Sequence, residues 1–387
     1  MLCIKNGTLH TASCADDRVR AFAADILIDE GKIREIGINL NAPEDCPVVD
    51  ATGLQIYPGF VEAHCHTGLD GTAIGYEGQD YNEYNDPVTP QLRAVDGINP
   101  FDPAFSEAAC AGVTCIATGP GSSNALGGTF AVIKTAGKRV DDMIVRAPAA
   151  MKCAFGENPK RCYREHGISS RMTNAALIRE ALCKALQYRA KKEAAQGVLS
   201  QMPAYDAKCE ALLPVLNHEI PLKAHAHQAN DFFTALRIAR EFGLDITLEH
   251  VTEGHLVAGL LAAENVPLAV GPTFTHASKF ELQNKSWTTP GILAKAGCRV
   301  SIITDAPVTP LHYLPLCAGL ACRAGMSESD ALLAITLNPA RHLGVENRVG
   351  SLEEGKDADL VIADGSPLSM DTSIKAVYIN GVEAHRA

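Results

Sequence analysis

A chain of 387 residues with 47% hydrophobic and 5% aromatic content has the composition of a globular protein, long enough for one large domain or two ordinary ones. Its net charge of −11 argues against a nucleic-acid partner, which needs clustered Lys and Arg, and no stretch approaches the roughly 18 uninterrupted apolar residues of a membrane span. The 13 cysteines form no CxxC pair, and residues 1–23, where Asp16 and Asp17 fall, lack a basic-then-apolar leader, so reduced thiols and a cytoplasmic location are expected.

Residues 1–56 carry short alternating runs at 2–4, 25–29 and 32–36, separated by turn signals at Asn6-Gly7 and Glu30-Gly31. That texture predicts a small β element. Pro58-Gly59 then opens the run Phe60-Val61-Glu62-Ala63-His64-Cys65-His66. Side chains alternate along a strand, so His64 and His66 share a face and can bind one divalent ion through one ring nitrogen each. Among 13 histidines such a pair is weak evidence by itself. The stretch 67–100, with Tyr76, Tyr81, Glu83 and Tyr84, reads as a lid, an oligomer contact or a solvated loop.

From 113 onward, apolar runs at 113–117, 149–155, 222–224, 246–248, 266–270 and 300–303 alternate with helical stretches such as 175–195 and 232–242. In those helices apolar residues recur every three or four positions. The alternation predicts a parallel sheet covered by helices, and at this length a closed (β/α)8 TIM barrel. Gly119, Gly121, Gly127 and Gly128 form a loop whose spacing is not a dinucleotide fingerprint, leaving a turn or a ligand contact. The C-terminal part returns to β texture, with runs at 359–363 and 376–379 beside Asp364-Gly365 and Asn380-Gly381. Two β-rich ends, each too short to bury a core alone, predict one β-sandwich domain of residues 1–56 plus 345–387 beside a barrel of residues 57–344.

Ligand-type residues recur where these apolar runs stop. Glu157 follows the run at 151–155, His225 ends 221–224, His250 ends 246–249 and Asp305 ends 300–304. In a parallel barrel the C-terminal strand ends converge on one face, where active sites are assembled. Any one of these histidines alone reads better as a satisfied core residue; their shared position at strand ends is what favours a site. Neutral imidazoles with carboxylates suit Zn²⁺ first, with Mn²⁺, Fe²⁺ or Co²⁺ as alternatives. Such a site with an open position brings bound water towards a pKa of ~7 and polarises a carbonyl. An Asp beside that water can take its proton and deliver it to a leaving amine, and Asp305 fits this role; the competing reading is a cap on the turn at Ala306-Pro307.

Along essentially its whole length the chain resembles the amidohydrolase superfamily, and within it the imidazolonepropionase-related hydrolases. The resemblance rests on the 58–66 run, on Leu222-Lys223-Ala224-His225-Ala226, on His250 and Asp305, on Thr336-Leu337-Asn338-Pro339-Ala340-Arg341-His342-Leu343-Gly344, and on Gly350-Ser351-Leu352-Glu353-Glu354-Gly355-Lys356-Asp357-Ala358-Asp359-Leu360. It implies a (β/α)8 barrel with a sandwich built from both chain ends, one or two divalent ions, and a small-molecule substrate. It also implies ligands at His64, His66, His225, His250 and Asp305. His227 and His276 become substrate contacts, with His255 a loop candidate. Lys279 joins Arg161 and Arg164 as a candidate basic anchor, although ordinary surface charge is the simpler reading of all three. Related enzymes often assemble, which leaves a homo-oligomer open.

At the fourth strand many binuclear members carry a carboxylated lysine, and others a glutamate; here both Lys152 and Glu157 are available. Five residues apart on a regular strand they face opposite sides. Lys152 would lie about 17 Å below Glu157 at about 3.3 Å per residue, so Glu157 is the expected ligand. The leading function is hydrolysis of a non-peptide C–N bond, in a cyclic amide or an N-acyl compound. A deaminase is a weaker fit, because residues 225–230 contain no acid to act as a proton shuttle. A dipeptidase and a non-catalytic scaffold complete the alternatives.

Overall fold

The computed structural model describes residues 1–13, 18–70 and 75–387; Asp16, Asp17 and part of the 67–100 loop lie outside the described residues. The N-terminal end forms β1 (Leu2–Ala12), β2 (Val19–Asp29), β3 (Lys32–Gly37), β4 (Val48–Asp50) and β5 (Gln55–Pro58). The central segment forms β6 (Phe60–Cys65), β7 (Val113–Thr118), β8 (Leu126–Lys134), β9 (Ile144–Ala154), β10 (Leu222–Ala226), β11 (Ile246–His250), β12 (Leu268–Val270) and β13 (Val300–Ile302). The C-terminal end adds β14 (Leu360–Ala363), β15 (Ile374–Ile379) and β16 (Val382–Arg386).

Both chain ends join in one eight-stranded sheet, ordered β16-β15-β14-β5-β1-β2-β3 with β4 beside β1. Its core draws on both: Ile4, Leu9, Ile26 and Ile56 pack with Leu360, Ile362 and Tyr378. The central strands make the second sheet in strict chain order, β6 to β13. It closes almost completely. His66 N donates to Ala306 O at 2.7 Å, while residues 334–335 fill the lower seam by accepting from Ile302 N and Val61 N.

One strand departs from the expected parallel repeat. β8 pairs antiparallel with both β7 and β9, whereas β9 through β13 are parallel. The connections at 119–125 and 135–143 are too short for the crossover of a dozen or more residues that a parallel neighbour requires. The Gly-rich loop is thus the turn into β8, a strand the apolar runs did not disclose. Its far end, Lys134, is buried and pairs with Asp357 at 3.0 Å and Asp359 at 2.6 Å, tying the barrel floor to the other sheet.

Helices cover the outside where the spacing predicts them. The helix Ala229–Phe242 buries Phe232, Ala235, Leu236, Ile238 and Ala239 and stops at Gly243, whose φ of 63° is left-handed; each large apolar side chain so buried contributes roughly 1.5–3 kcal/mol. The helix Arg171–Ala194 starts where Ser170 accepts from Thr173 N. Among the described residues no helix is long and apolar enough to cross a membrane.

Candidate metal centre

The barrel interior is polar. Glu62, His64 and His66 occupy alternate positions at β6, and Lys223, His225 and His227 do the same at β10; all six are buried. The period-two strand pattern puts each trio inside the barrel. His250 and Asp305 reach the same centre differently: their φ values of 76° and 53° are left-handed turns at the strand ends that swing the side chains inward.

Asp305 Oδ1 lies 3.3 Å from His66 Nε2 and 3.6 Å from His64 Nε2. Two groups of donor atoms lie within 4.8 Å of one another: His64, His250 and Asp305, and His225, His227 and His250. Every one of the five imidazoles is held through Nδ1. His66 bonds Gly119 O at 2.7 Å, His250 bonds Gly271 O at 2.9 Å and His64 bonds Glu249 Oε2 at 3.1 Å. His225 bonds Ser122 Oγ at 2.8 Å and His227 bonds Thr252 Oγ1 at 2.7 Å. Anchoring Nδ1 fixes the ring and leaves Nε2 as the ligand atom, the usual outer-shell arrangement of a metal-binding histidine. His250 Nε2 and Asp305 Oδ1 are buried without a hydrogen-bond partner. Atoms so placed would be costly left alone and suit a divalent cation, so the donor set fits the metal that the sequence implies.

At the fourth strand the geometry differs from the expected arrangement. Lys152, not Glu157, is brought to the histidines: it is fully buried, and its Nζ lies 3.0 Å from His64 Nε2. β9 ends at Ala154, which pairs with His225, while Lys152 pairs with Lys223. Lys152 therefore starts only one pleat below His225, and its long side chain reaches the ligand level. Gly156, at φ 82°, then turns the chain out of the barrel. Glu157 sits half-buried outside, its Oε2 accepting from Glu281 N at 3.2 Å while its N donates to Glu281 Oε2 at 3.0 Å. Burial, reinforced by the nearby Lys223, brings the Lys152 ammonium down to about 7 even though Asp305 and Glu249 favour its charge.

Beneath the histidines lies a buried charged floor that the sequence did not single out. Glu249 accepts from Thr247 Oγ1 at 2.6 Å and pairs with Lys223 at 2.9 Å and His342 at 2.8 Å, besides holding His64. Glu62 accepts from His64 N, Thr304 N and Thr304 Oγ1, and burial pushes its carboxyl up to about 8. Burial raises the Asp305 carboxyl, but His250, His66 and His64 outweigh it and hold the group well below the usual carboxylate range. Because Glu249 orients a ligand, Glu249→Gln is expected to weaken ion binding about 10-fold or more. A chelator-competition titration checks this, and unchanged affinity would reduce the contact to packing.

Above the centre opens a cavity of about 260 Å³ lined by His66, Tyr81, Asn82, Arg161, His225, His227, Lys279 and Asp305. Its volume suits a small molecule. His227 and Lys279 therefore stand where substrate contacts were expected. His276 does not: it is exposed on its loop, and only its carbonyl is engaged, by Lys285. His255 is occupied with Thr289 Oγ1 at 2.9 Å, and Arg164 lines a separate surface depression with Glu157. A larger groove of about 380 Å³ on the outer wall, lined by Pro90, Arg93, Pro148 and Pro214 among others, contains no histidine.

The sequence pattern of the amidohydrolase family matches residues 179–384. This chain belongs to the amidohydrolase family. An amidohydrolase from Thermotoga maritima MSB8 of known structure is 42% identical and superposes with a TM-score of 0.95, covering 100% of both chains. Amidohydrolase tasK of Hapsidospora irregularis is 28% identical over 386 residues, 92% of this chain, but the chain spans only 39% of that protein's length. Imidazolonepropionase of Cupriavidus pinatubonensis is 24% identical over 375 residues, 91% of this chain and 86% of that protein. The family is metal-dependent, and the histidine and aspartate groups of this member can hold an ion.

Proposed function

We propose that this amidohydrolase uses one or two divalent ions, Zn²⁺ first, to hydrolyse a non-peptide C–N bond in a cyclic amide or an N-acyl compound. The observation that carries the reading is the meeting of Nδ1-anchored imidazoles with Asp305, 3.3 Å from His66 Nε2 and 3.6 Å from His64 Nε2, while His250 groups both with His64 and Asp305 and with His225 and His227. His64, His66 and Asp305 would hold one ion, and His225 and His250 the other. Lys152, as its carbamate, would stand between them in the position Glu157 was expected to fill. Bound there, the metal supplies a water of lowered pKa and a polarised carbonyl.

The chain's own residues do the rest. Asp305, kept anionic by the surrounding imidazoles, accepts the proton of the attacking water on one carboxylate oxygen. It then returns that proton to the leaving nitrogen, so that the amine departs neutral. Lys279 faces the cavity and orients the substrate, and His227 lines the same cavity wall. The two hydrogen-bonded sheets support a division into a β-sandwich domain of residues 1–56 plus 345–387 and a barrel of residues 57–344 of the (β/α)8 type with its third strand reversed. The described cysteines are free thiols, which supports a cytoplasmic setting.

Dialysis against a chelator is expected to abolish turnover, and one or two equivalents of Zn²⁺ to restore it, with ring opening or amine release measured on a panel of cyclic amides and N-acyl compounds. A folded, active, metal-free protein would sink the proposal. Release of ammonia from aminated rings instead would turn it towards a deaminase.

A further inference from the structure

We propose that the outer end of this site binds its divalent cation through four side chains, His225, His227, His250 and Glu281, so that His227 and Glu281 are metal ligands. The inference rests on the reading that the chain is a metal enzyme, and it adds two ligands to the strand-end set.

Glu281 belongs to the short turn Phe280–Leu282, far in sequence from the strand-end ligands, yet it is fully buried. Its Oε1 has no well-aligned hydrogen bond, the Lys279 ammonium being its one close ion-pair neighbour among the described residues, and lies 3.7 Å from His227 Nε2 and 3.8 Å from His225 Nε2. Four ligands at about 2.0–2.2 Å around a tetrahedral Zn²⁺ are mutually about 3.3–3.6 Å apart, so a shift of a few tenths of an ångström brings Oε1 to bonding range. His225, His227 and His250 already have donor atoms within 4.8 Å of one another. Thr252 and Gly271 hold Nδ1 of His227 and His250, which leaves the Nε2 atoms of these two rings for the ion.

The carboxylate is also aimed. Its Oε2 accepts from Glu157 N at 3.0 Å, and Glu157 Oε2 accepts from Glu281 N at 3.2 Å. A Cβ on Gly156 would come within 2.4 Å of Oε2, so the glycine makes room for this seat. Glu157 thus serves the centre at one remove, by clamping a ligand. The competing arrangement is a purely structural ion pair, since Lys279 Nζ lies 2.7 Å from Oε1. Lys279 has a second acceptor in Asn158 Oδ1 at 3.0 Å, to which it can turn when a cation takes its place.

The test is Zn²⁺ titration of the full chain against a competing chelator, with elemental analysis and Co²⁺ absorption spectra, for wild type, His227→Gln, Glu281→Gln and Glu281→Asp. Each variant is expected to bind the outer ion at least about 10–100-fold more weakly, to leave the other ion's affinity unchanged, and to alter the Co²⁺ spectrum of the outer site alone. Glu281→Asp keeps the charge opposite Lys279 but withdraws the ligand atom, so a structural ion pair would tolerate it. His227→Gln touches no ion pair with Lys279 and carries the test if the Glu281 variants do not fold. Unchanged affinity and spectra in His227→Gln and Glu281→Asp overturn the inference while leaving the metal-enzyme reading intact. A wild-type protein that binds no Zn²⁺ overturns both.

Discussion

Lys152→Ala is expected to lower kcat/KM about 1,000-fold or more and to reduce the bound metal, whereas Glu157→Ala costs about 10-fold or less. Losing a metal-organising group removes several kcal/mol of transition-state stabilisation; Glu157 merely steadies a neighbour, and its backbone half of the clamp survives the mutation. The lysine's position asks for a chemical change. A buried ammonium is expensive without a carboxylate partner, and Lys223 has one in Glu249, but the Lys152 hydrogen bond goes to His64 Nε2, itself a ligand atom. Addition of CO₂ to the neutral amine forms a carbamate and releases a proton, replacing a cation by an anion with two ligand oxygens. The amine must be neutral to react, so reconstitution of metal-free protein with Zn²⁺ and bicarbonate should accelerate as pH rises through about 7, where burial places the Lys152 ammonium. The same shift has a stability consequence. Between about 7 and the ordinary 10.5, the unfolded chain holds a proton that the folded, metal-free chain has lost. Unfolding therefore becomes less favourable with rising pH across that window, and Lys152→Met should lack the trend. Carbon-13 bicarbonate should label a carbamate carbon in the wild type and not in Lys152→Ala. If Lys152→Ala kept its ions and its rate while Glu157→Ala lost both, Glu157 would be the ligand after all.

Where strand geometry is regular, the site was legible. The two trios 62-64-66 and 223-225-227 follow period-two alternation, and the pairs His64/His66 and His225/His227 stand out because their spacing needs no tertiary information. The residues that spacing does not disclose share a cause: there the backbone leaves the regular pattern. Lys152 reads as too deep when depth is counted from Glu157, whereas the strand ends at Ala154 and Gly156 takes the chain outside. Glu249 carries no period-two signal because its neighbour His250 breaks alternation with φ 76°, so adjacent residues both face inward. Glu281 had no local signal at all; only the fold of the loop after β12 carries it to His225 and His227. β8 escaped because a Gly-rich turn in place of a crossover reverses it, and alternation of strands with helices cannot reveal a strand that has no helix before it.

Asp305→Asn is expected to lower kcat about 100- to 10,000-fold, the range a positioned general acid–base residue supplies, while the protein stays folded and keeps most of its metal. Asparagine is the substitution to use because Asp305 sits at φ 53°, a left-handed conformation that Asn and Asp tolerate better than other side chains. Replacement by alanine would mix backbone strain with the loss of the carboxylate. The amide oxygen can still take the place of Oδ1, 3.3 Å from His66 Nε2 and 3.6 Å from His64 Nε2, so a ligand atom remains. The lost function is the second one: an amide cannot accept a proton from water and return it to a leaving nitrogen. KM should therefore change little while kcat collapses, the pattern of an interaction needed only in the transition state. Substrates with better leaving groups should lose less, since they depend less on the returned proton. Turnover within about 10-fold of wild type at full metal content would move the proton transfer away from Asp305 and reduce this residue to a ligand.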